Sequence, residues 1–215
     1  MPDLSPWHSA NDLEEQLKQV EEIARTRGFS RPRTPQISAS QLAELQTSIA
    51  RPFPPDLYRF LAWLCQPEWS AFVHPDGFAF GVRAEDIGFH SVRTSEDRFL
   101  RNVRDEIGDV PERMPEWINA ELITFGHSEC DFEGLYYCVS SPEYKTGAIL
   151  AGLEDDQHLF WIADSLTQWL ARLVAFEGFE SAFTPGAIPS HLDEYQRHFA
   201  TEWNSRNPRS SWWRK

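Results

Sequence analysis

The chain has 215 residues, 20 of them Lys or Arg and 33 Asp or Glu, for a formal net charge of −13. A hydrophobic share of 41%, with 9 Trp and 15 Phe, is enough for a sizeable single core and excludes disorder over most of the length. No apolar run approaches the roughly 20 residues of a membrane span, and Met1-Pro2-Asp3-Leu4 lacks the basic-then-apolar order of a secretory signal, so a soluble, cytoplasmic chain with no membrane partner is expected.

The first helical pattern runs from about Asn11 to Arg27, with Leu13, Leu17, Val20 and Ile23 on one stripe, Ser9 or Asn11 as cap and Gly28 as stop. Phe29 to Gln36, with Pro32 and Pro35, reads as a linker. A second helix begins at Ser38, where Ser38 and Gln41 have capping-box spacing and Leu42, Leu45 and Ile49 face inward. Pro52, Pro54 and Pro55 end it. Pro55 also suits a first helical position, and a third helix from near Asp56 carries Leu57, Phe60, Leu61 and Leu64, so the two form a hairpin.

From Trp69 the period changes. Phe78, Phe80 and Val82 alternate after the turn His74-Pro75-Asp76-Gly77, the entry to a sheet. Thr94 to Val110 returns to helical spacing through Phe99, Leu100, Val103 and Ile107, an insertion between strands. Four apolar runs follow: Leu122 to Phe125, Gly134 to Val139, Gly147 to Leu153 and His158 to Ile162. The gaps between them are too short for helical crossovers, so the strands are antiparallel. Asp164 or Ser165 caps a helix carrying Leu166, Trp169, Leu170, Leu173 and Val174, which Gly178 ends. A last helix, roughly Ser190 to Asn204, holds Leu192, Tyr195, Phe199 and Trp203. The tail from Arg206 to Lys215 is basic, with Trp212 and Trp213. Such a tail is able to stack on single-stranded nucleic acid or sit on a membrane, but folding back on the acidic body, or partial disorder, suits it better.

The fold class is therefore α+β, an antiparallel sheet packed by N-terminal and C-terminal helices. It divides into a helical arm and linker over 1–36, a central α+β domain over 37–176, and a helix with a basic tail over 177–215.

Cys65, Cys130 and Cys138 are odd in number and lack CxxC spacing, which fits reduced thiols rather than a disulfide framework or a zinc cage. The net negative charge repels phosphate backbones, so direct nucleic-acid binding is not expected. Basic proteins become the favoured partners, although surface carboxylates also serve solubility alone.

The motifs Pro52-Phe53-Pro54-Pro55-Asp56-Leu57-Tyr58-Arg59-Phe60-Leu61, Thr124-Phe125-Gly126-His127-Ser128 and Ala163-Asp164-Ser165-Leu166-Thr167-Gln168-Trp169-Leu170 together resemble the SMI1/KNR4 family, also called the SUKH superfamily, over roughly residues 37 to 176. Cys65-Gln66-Pro67-Glu68 stands where the family commonly has a glycine pair. The resemblance implies a non-enzymatic binding domain with no catalytic residues and no cofactor. Bacterial members are mostly immunity proteins that neutralise a cognate polymorphic toxin, often a nuclease; fungal members regulate cell-wall signalling. A regulatory or scaffold module of the same fold is the alternative.

The densest local cluster of chemistry is His127-Ser128-Glu129-Cys130-Asp131-Phe132-Glu133. Alternation puts Glu129, Asp131 and Glu133 on one side, where a hard cation would relieve their repulsion. No HExxH, no EF-hand order and no second histidine at ligand spacing accompanies them, so no metal site is assigned. A second acidic group, Glu154-Asp155-Asp156, lies in a turn between strands. Together the six carboxylates form a candidate partner-binding surface for an Arg- or Lys-rich toxin site. Trp69 and Trp117 read either as interface anchors or as core residues.

Overall fold

The computed structural model describes residues 6–27, 37–48, 52–65, 71–73, 79–81, 87–94, 100–101, 104–105, 116–128, 132–153, 156–177 and 190–208. A short 3-10 turn, Pro6–Ser9, leads into helix α1, Leu13–Arg27. Its cap is Asp12 rather than Ser9 or Asn11: the Asp12 Oδ1 accepts from the backbone N–H of Glu14 at 3.0 Å and of Glu15 at 3.2 Å. A carboxylate one residue nearer the helix start meets both the free N–H groups and the helix dipole. The buried face runs through Gln16, Leu17, Val20 and Ala24, with Leu13 and Ile23 at its margins.

Helix α2, Ala39–Ser48, begins with the expected capping box. The Ser38 N–H donates to Gln41 Oε1 at 2.9 Å and the Gln41 N–H donates to Ser38 Oγ at 3.2 Å. Leu42 is buried and Leu45 partly so; Ile49 lies outside the described residues. Helix α3, Pro55–Leu64, places Pro55 at its first position, where the missing N–H costs no bond. Leu57, Phe60, Leu61 and Leu64 are all fully buried.

Seven strands form one sheet among the described residues: β1 (Ala71–Val73), β2 (Ala79–Gly81), β3 (Gly88–Ser91), β4 (Glu121–Ser128), β5 (Phe132–Ser140), β6 (Ile149–Leu153) and β7 (Asp156–Ala163). The order is β1-β2-β4-β5-β6-β7, every pairing is antiparallel, and β3 pairs with the first half of β4 while β2 takes its far end. Strands β4 to β7 match the four apolar runs. Strands β1 and β3 were not expected, since three- and four-residue segments carry too little alternation to register as strands. Of the proposed insertion helix, only 100–101 and 104–105 are described; these are helical, with Leu100 buried. The linker, the turn 74–77, Phe78 and Val82 lie outside the described residues.

Helix α4, Leu166–Ala175, is capped by Ser165, whose Oγ accepts from the Gln168 N–H at 3.2 Å. It stops before Gly178: Phe176 closes the helix and Glu177 follows at φ 53°, in the left-handed region. A second 3-10 turn, Ser190–Leu192, opens helix α5, Asp193–Arg206. Helices α3 and α4 meet strand β4 through three rings. Phe60, Phe125 and Trp169 sit edge to face in a closed triangle with centroids 5.7 to 6.0 Å apart. One continuous core runs from Trp7 and Val20 through these rings to Phe199 and Trp203, so side chains of both flanking segments and of the central region pack together.

Strand β7 ends the sheet order, and an open edge exposes unpaired backbone groups to other strands. The side chain of Asn207, just past α5, covers this edge. Its Oδ1 accepts from the Trp161 N–H at 2.8 Å and its Nδ2 donates to the Trp161 carbonyl at 3.1 Å, so one amide replaces a neighbouring strand. Replacing Asn207 with Ala strands both buried groups and is expected to lower stability by about 1–3 kcal/mol. Urea unfolding checks this, and Asn207→Asp, which keeps only the acceptor, is expected to fall between; an unchanged midpoint for Asn207→Ala would show that the edge does not depend on the amide.

Candidate functional site

Of the residues proposed as a partner surface, Glu129, Asp131, Glu154, Asp155 and Trp69 lie outside the described residues, as does Cys130. Glu133 and Asp156 are placed by their backbones, in β5 and β7. Strand register fixes the relation between the two acidic segments. Phe132 pairs with Leu153 and Leu153 with Asp156, so the chain leaves β4 for β5 and β6 for β7 at the same end of the sheet. Trp117 is not an available anchor. It is 2% exposed in the 3-10 turn Glu116–Asn119, where its neighbours Ile118 and Ala120 are buried with it as the chain enters β4.

The motifs behind the resemblance have structural work in the fold. Asp56, in the first turn of α3, accepts from the Tyr137 hydroxyl at 3.0 and 3.2 Å and so pins the helix to β5. Burial and the adjoining Asp56 carboxylate push that hydroxyl's pKa up, which keeps Tyr137 protonated as a donor. Gly147, at φ +92°, brings the chain close beneath the same ring before β6. Asp164 joins three elements: Oδ1 accepts from Trp161 Nε1 at 2.9 Å, and Oδ2 from Lys145 Nζ at 3.2 Å and Arg206 Nη2 at 2.9 Å. Arg206, the last residue of α5, also lies over the Trp161 ring; 209–215, the rest of the basic tail expected to fold back, lie outside the described residues.

Sequence reasoning missed Arg172. Its place on α4 gives a cation among apolar neighbours, and no periodicity marks such a residue as buried. It is 1% exposed, donates to the Ile162 carbonyl of β7, and lies 4.0 Å from the centre of the Phe199 ring on α5. Burial pushes its guanidinium down to about 9, against the pull of Glu202, and it remains charged at neutral pH. Glu202 in turn accepts from Trp7 Nε1 at 3.3 Å and meets His8 at 3.2 Å. Two thiols are described, and neither is primed as a nucleophile: burial pushes the Cys138 thiol up to about 11 and raises that of Cys65. Among the described residues no three His, Cys, Asp or Glu side chains converge as metal ligands, and no helix is long and apolar enough to cross a membrane.

An open cleft of about 700 Å³ lies where α1, the end of α4 and the start of α5 meet. Ala171, Val174, Ala175 and Leu192 give it apolar walls, and Asp12, Glu15 and Glu177 bring carboxylates to it. His191 Nε2 stands 3.2 Å from Glu177 Oε1. Among the described residues no Lys or Arg lines it. The flanking segments build most of this cleft, which is why inspection of the central motifs does not reveal it.

A helical hairpin ahead of an antiparallel sheet, closed by a capped helix, defines an α+β domain whose recognisable motifs position elements of the fold rather than assemble reacting groups. A family model described as the SMI1 / KNR4 family (SUKH-1) matches residues 36–172, more than half of the chain, and the chain belongs to that family. The family is known for immunity-protein-type domains and is generally non-catalytic. No curated protein matches the chain.

Asp164 makes stability depend on pH. Burial alone would raise its carboxyl pKa, but the hydrogen bonds from Trp161 and Lys145 and the charges of Arg206 and Lys145 outweigh burial and hold it below the usual carboxylate value. A group depressed in the folded state stabilises above its unfolded pKa of about 3.9, and that contribution is lost as pH falls through the folded value. Wild type is therefore expected to exceed Asp164→Asn in unfolding free energy at pH 6, with the gap closing as pH drops below about 4. A gap that stays constant between pH 6 and pH 2.5 in urea titrations would remove the carboxylate's charge from the account.

Proposed function

We propose that this chain is an immunity protein that binds a cognate polymorphic toxin, a basic nuclease-type domain, and occludes its active site without chemistry of its own. The observation that carries the reading is membership of a family of immunity-protein type. Charge supports it: at −13 the chain attracts a protein whose substrate is a polyanion and repels the polyanion itself. The six carboxylates Glu129, Asp131, Glu133, Glu154, Asp155 and Asp156 are the proposed contact, and the strand pairing of Phe132 with Leu153 and of Leu153 with Asp156 favours their acting together. Such a surface speeds encounter through long-range attraction and then fills a site built for phosphates.

The test begins with affinity capture of the tagged chain from its own cells at low salt, followed by a salt gradient. One basic protein at near-equal stoichiometry, toxic when expressed alone and harmless with this chain, is the expected result. Several weak host partners and no growth rescue would replace the immunity reading with a regulatory module of the same fold. With the captured toxin, Glu129→Gln/Asp131→Asn/Glu133→Gln is expected to slow association about tenfold or more at low salt and to flatten its salt dependence. Unaltered association kinetics would move the contact away from the acidic turns.

A further inference from the structure

The family match covers residues 36–172, so the N-terminal turn Pro6–Ser9 and helix α5 both lie outside it, at opposite ends of the chain. They meet each other directly. Along α5, Tyr195, His198 and Glu202 follow three-to-four spacing and make one stripe. Trp7 packs on the first two, with ring centroids 6.0 and 5.6 Å away. The Glu202 carboxylate closes the contact with both oxygens: Oε2 accepts from Trp7 Nε1 at 3.3 Å, and Oε1 lies 3.2 Å from His8 Nε2.

The neighbouring stripe of α5 faces the domain. Phe199 lies against Arg172 of α4, Trp203 stacks on Phe160 of β7 at 5.7 Å, and Asn207, just beyond the helix, holds the Trp161 backbone. Each extension depends on the other. Trp7 is 1% exposed, and α5 supplies two of the rings around it and the acceptor for its indole N–H. Without the turn, the largely buried Glu202 carboxylate loses the partners of both oxygens while it sits beside the Arg172 guanidinium it offsets. Helix α1, by contrast, has anchors of its own on α3: Arg59 Nε donates to Glu14 Oε1 at 2.7 Å, and Trp63 Nε1 to Glu21 Oε1 at 2.8 Å. The aromatic triangle of α3, β4 and α4 includes no residue of the turn or of α5.

We infer that the N-terminal turn and α5 form a clasp: the two dock and release as one unit joined through Glu202, while α1, α3 and the sheet stay folded. Such a unit opens at a lower free energy than the whole domain unfolds. Whatever engages one end of the chain is then coupled to the other end. The clasp does not rest on the immunity reading.

The test is native-state hydrogen exchange of the ¹⁵N-labelled full chain, read by NMR and corrected for intrinsic rates. Three N–H groups report on the clasp: the Trp7 indole held by Glu202, the Trp161 amide held by Asn207, and the Trp203 amide within α5. In the wild type their protection factors are expected to agree within about threefold and to fall at least about tenfold below those of the Val20 amide in α1 and the Leu61 amide in α3. Asn207→Ala, which touches only the far end of the clasp, is expected to speed exchange of the Trp7 indole and the Trp203 amide by the same factor. Protection that differs between Trp7 and α5 would show that the extensions dock separately. Protection equal to that of Leu61 would show that they open only when the whole domain unfolds. Asn207→Ala speeding Trp203 but not Trp7 would break the link through Glu202, and each of these three results overturns the clasp.

Discussion

A single buried cation ties the flanking segments to the domain they enclose. Arg172 reaches from α4 to the Ile162 carbonyl of β7 and stacks on Phe199 of α5, and the Glu202 carboxylate that offsets its charge is itself held by Trp7 and His8. Removing a guanidinium from water is costly unless its charge and its N–H groups are answered. The carbonyl comes from β7 and the ring and carboxylate from α5, so the cost is met only when α4, β7 and α5 have docked. That is a cooperative constraint, and the N-terminal turn joins it by holding the Glu202 carboxylate in place. Tryptophan and phenylalanine supply the apolar side of the same junction, with Trp7 packed on Phe176 and Tyr195, and Phe160 stacked on Trp203. The cleft exists because this junction holds α1 and α5 at the end of α4.

What sequence could reveal follows from the range of each interaction. The capping box at Ser38 and Gln41, Pro55 at a helix start, the Ser165 cap and the four long antiparallel strands are all local: each needs only a few neighbouring residues, and each was legible. Arg172, Asn207 and Asp164 act over 10, 46 and 42 positions respectively when they reach Ile162, Trp161 and Arg206. Nothing in the periodicity of a helix says that one of its arginines faces inward, or that a lone Asn beyond a helix will serve as a strand. The acidic runs were legible as composition, but composition does not tell a contact surface from a solvated turn. Trp117 shows the same limit from the other side, because an aromatic at the start of a strand packs or protrudes according to what covers it.

On the immunity reading, the proposed acidic contact acts through its field, and a field acts on the rate of encounter and is weakened by salt within a Debye length of about 8–10 Å. Attraction alone would bind many cationic proteins loosely, so on that reading selectivity comes from the shape that the folded body presents.

This division also accounts for where the chain spends its rigidity. Asp56 on Tyr137, Asp164 on three donors and Asn207 on the edge of β7 use polar residues of the domain to fix backbone against backbone, which leaves them engaged and unavailable to a partner. Recognition is therefore left to groups that the fold does not consume. A family fold whose motifs are occupied with its own stability can change partner without unfolding only by varying what is attached around it. In this chain the first turns of α1 and α5 are the attached parts, and the end of α4 is the ground they share.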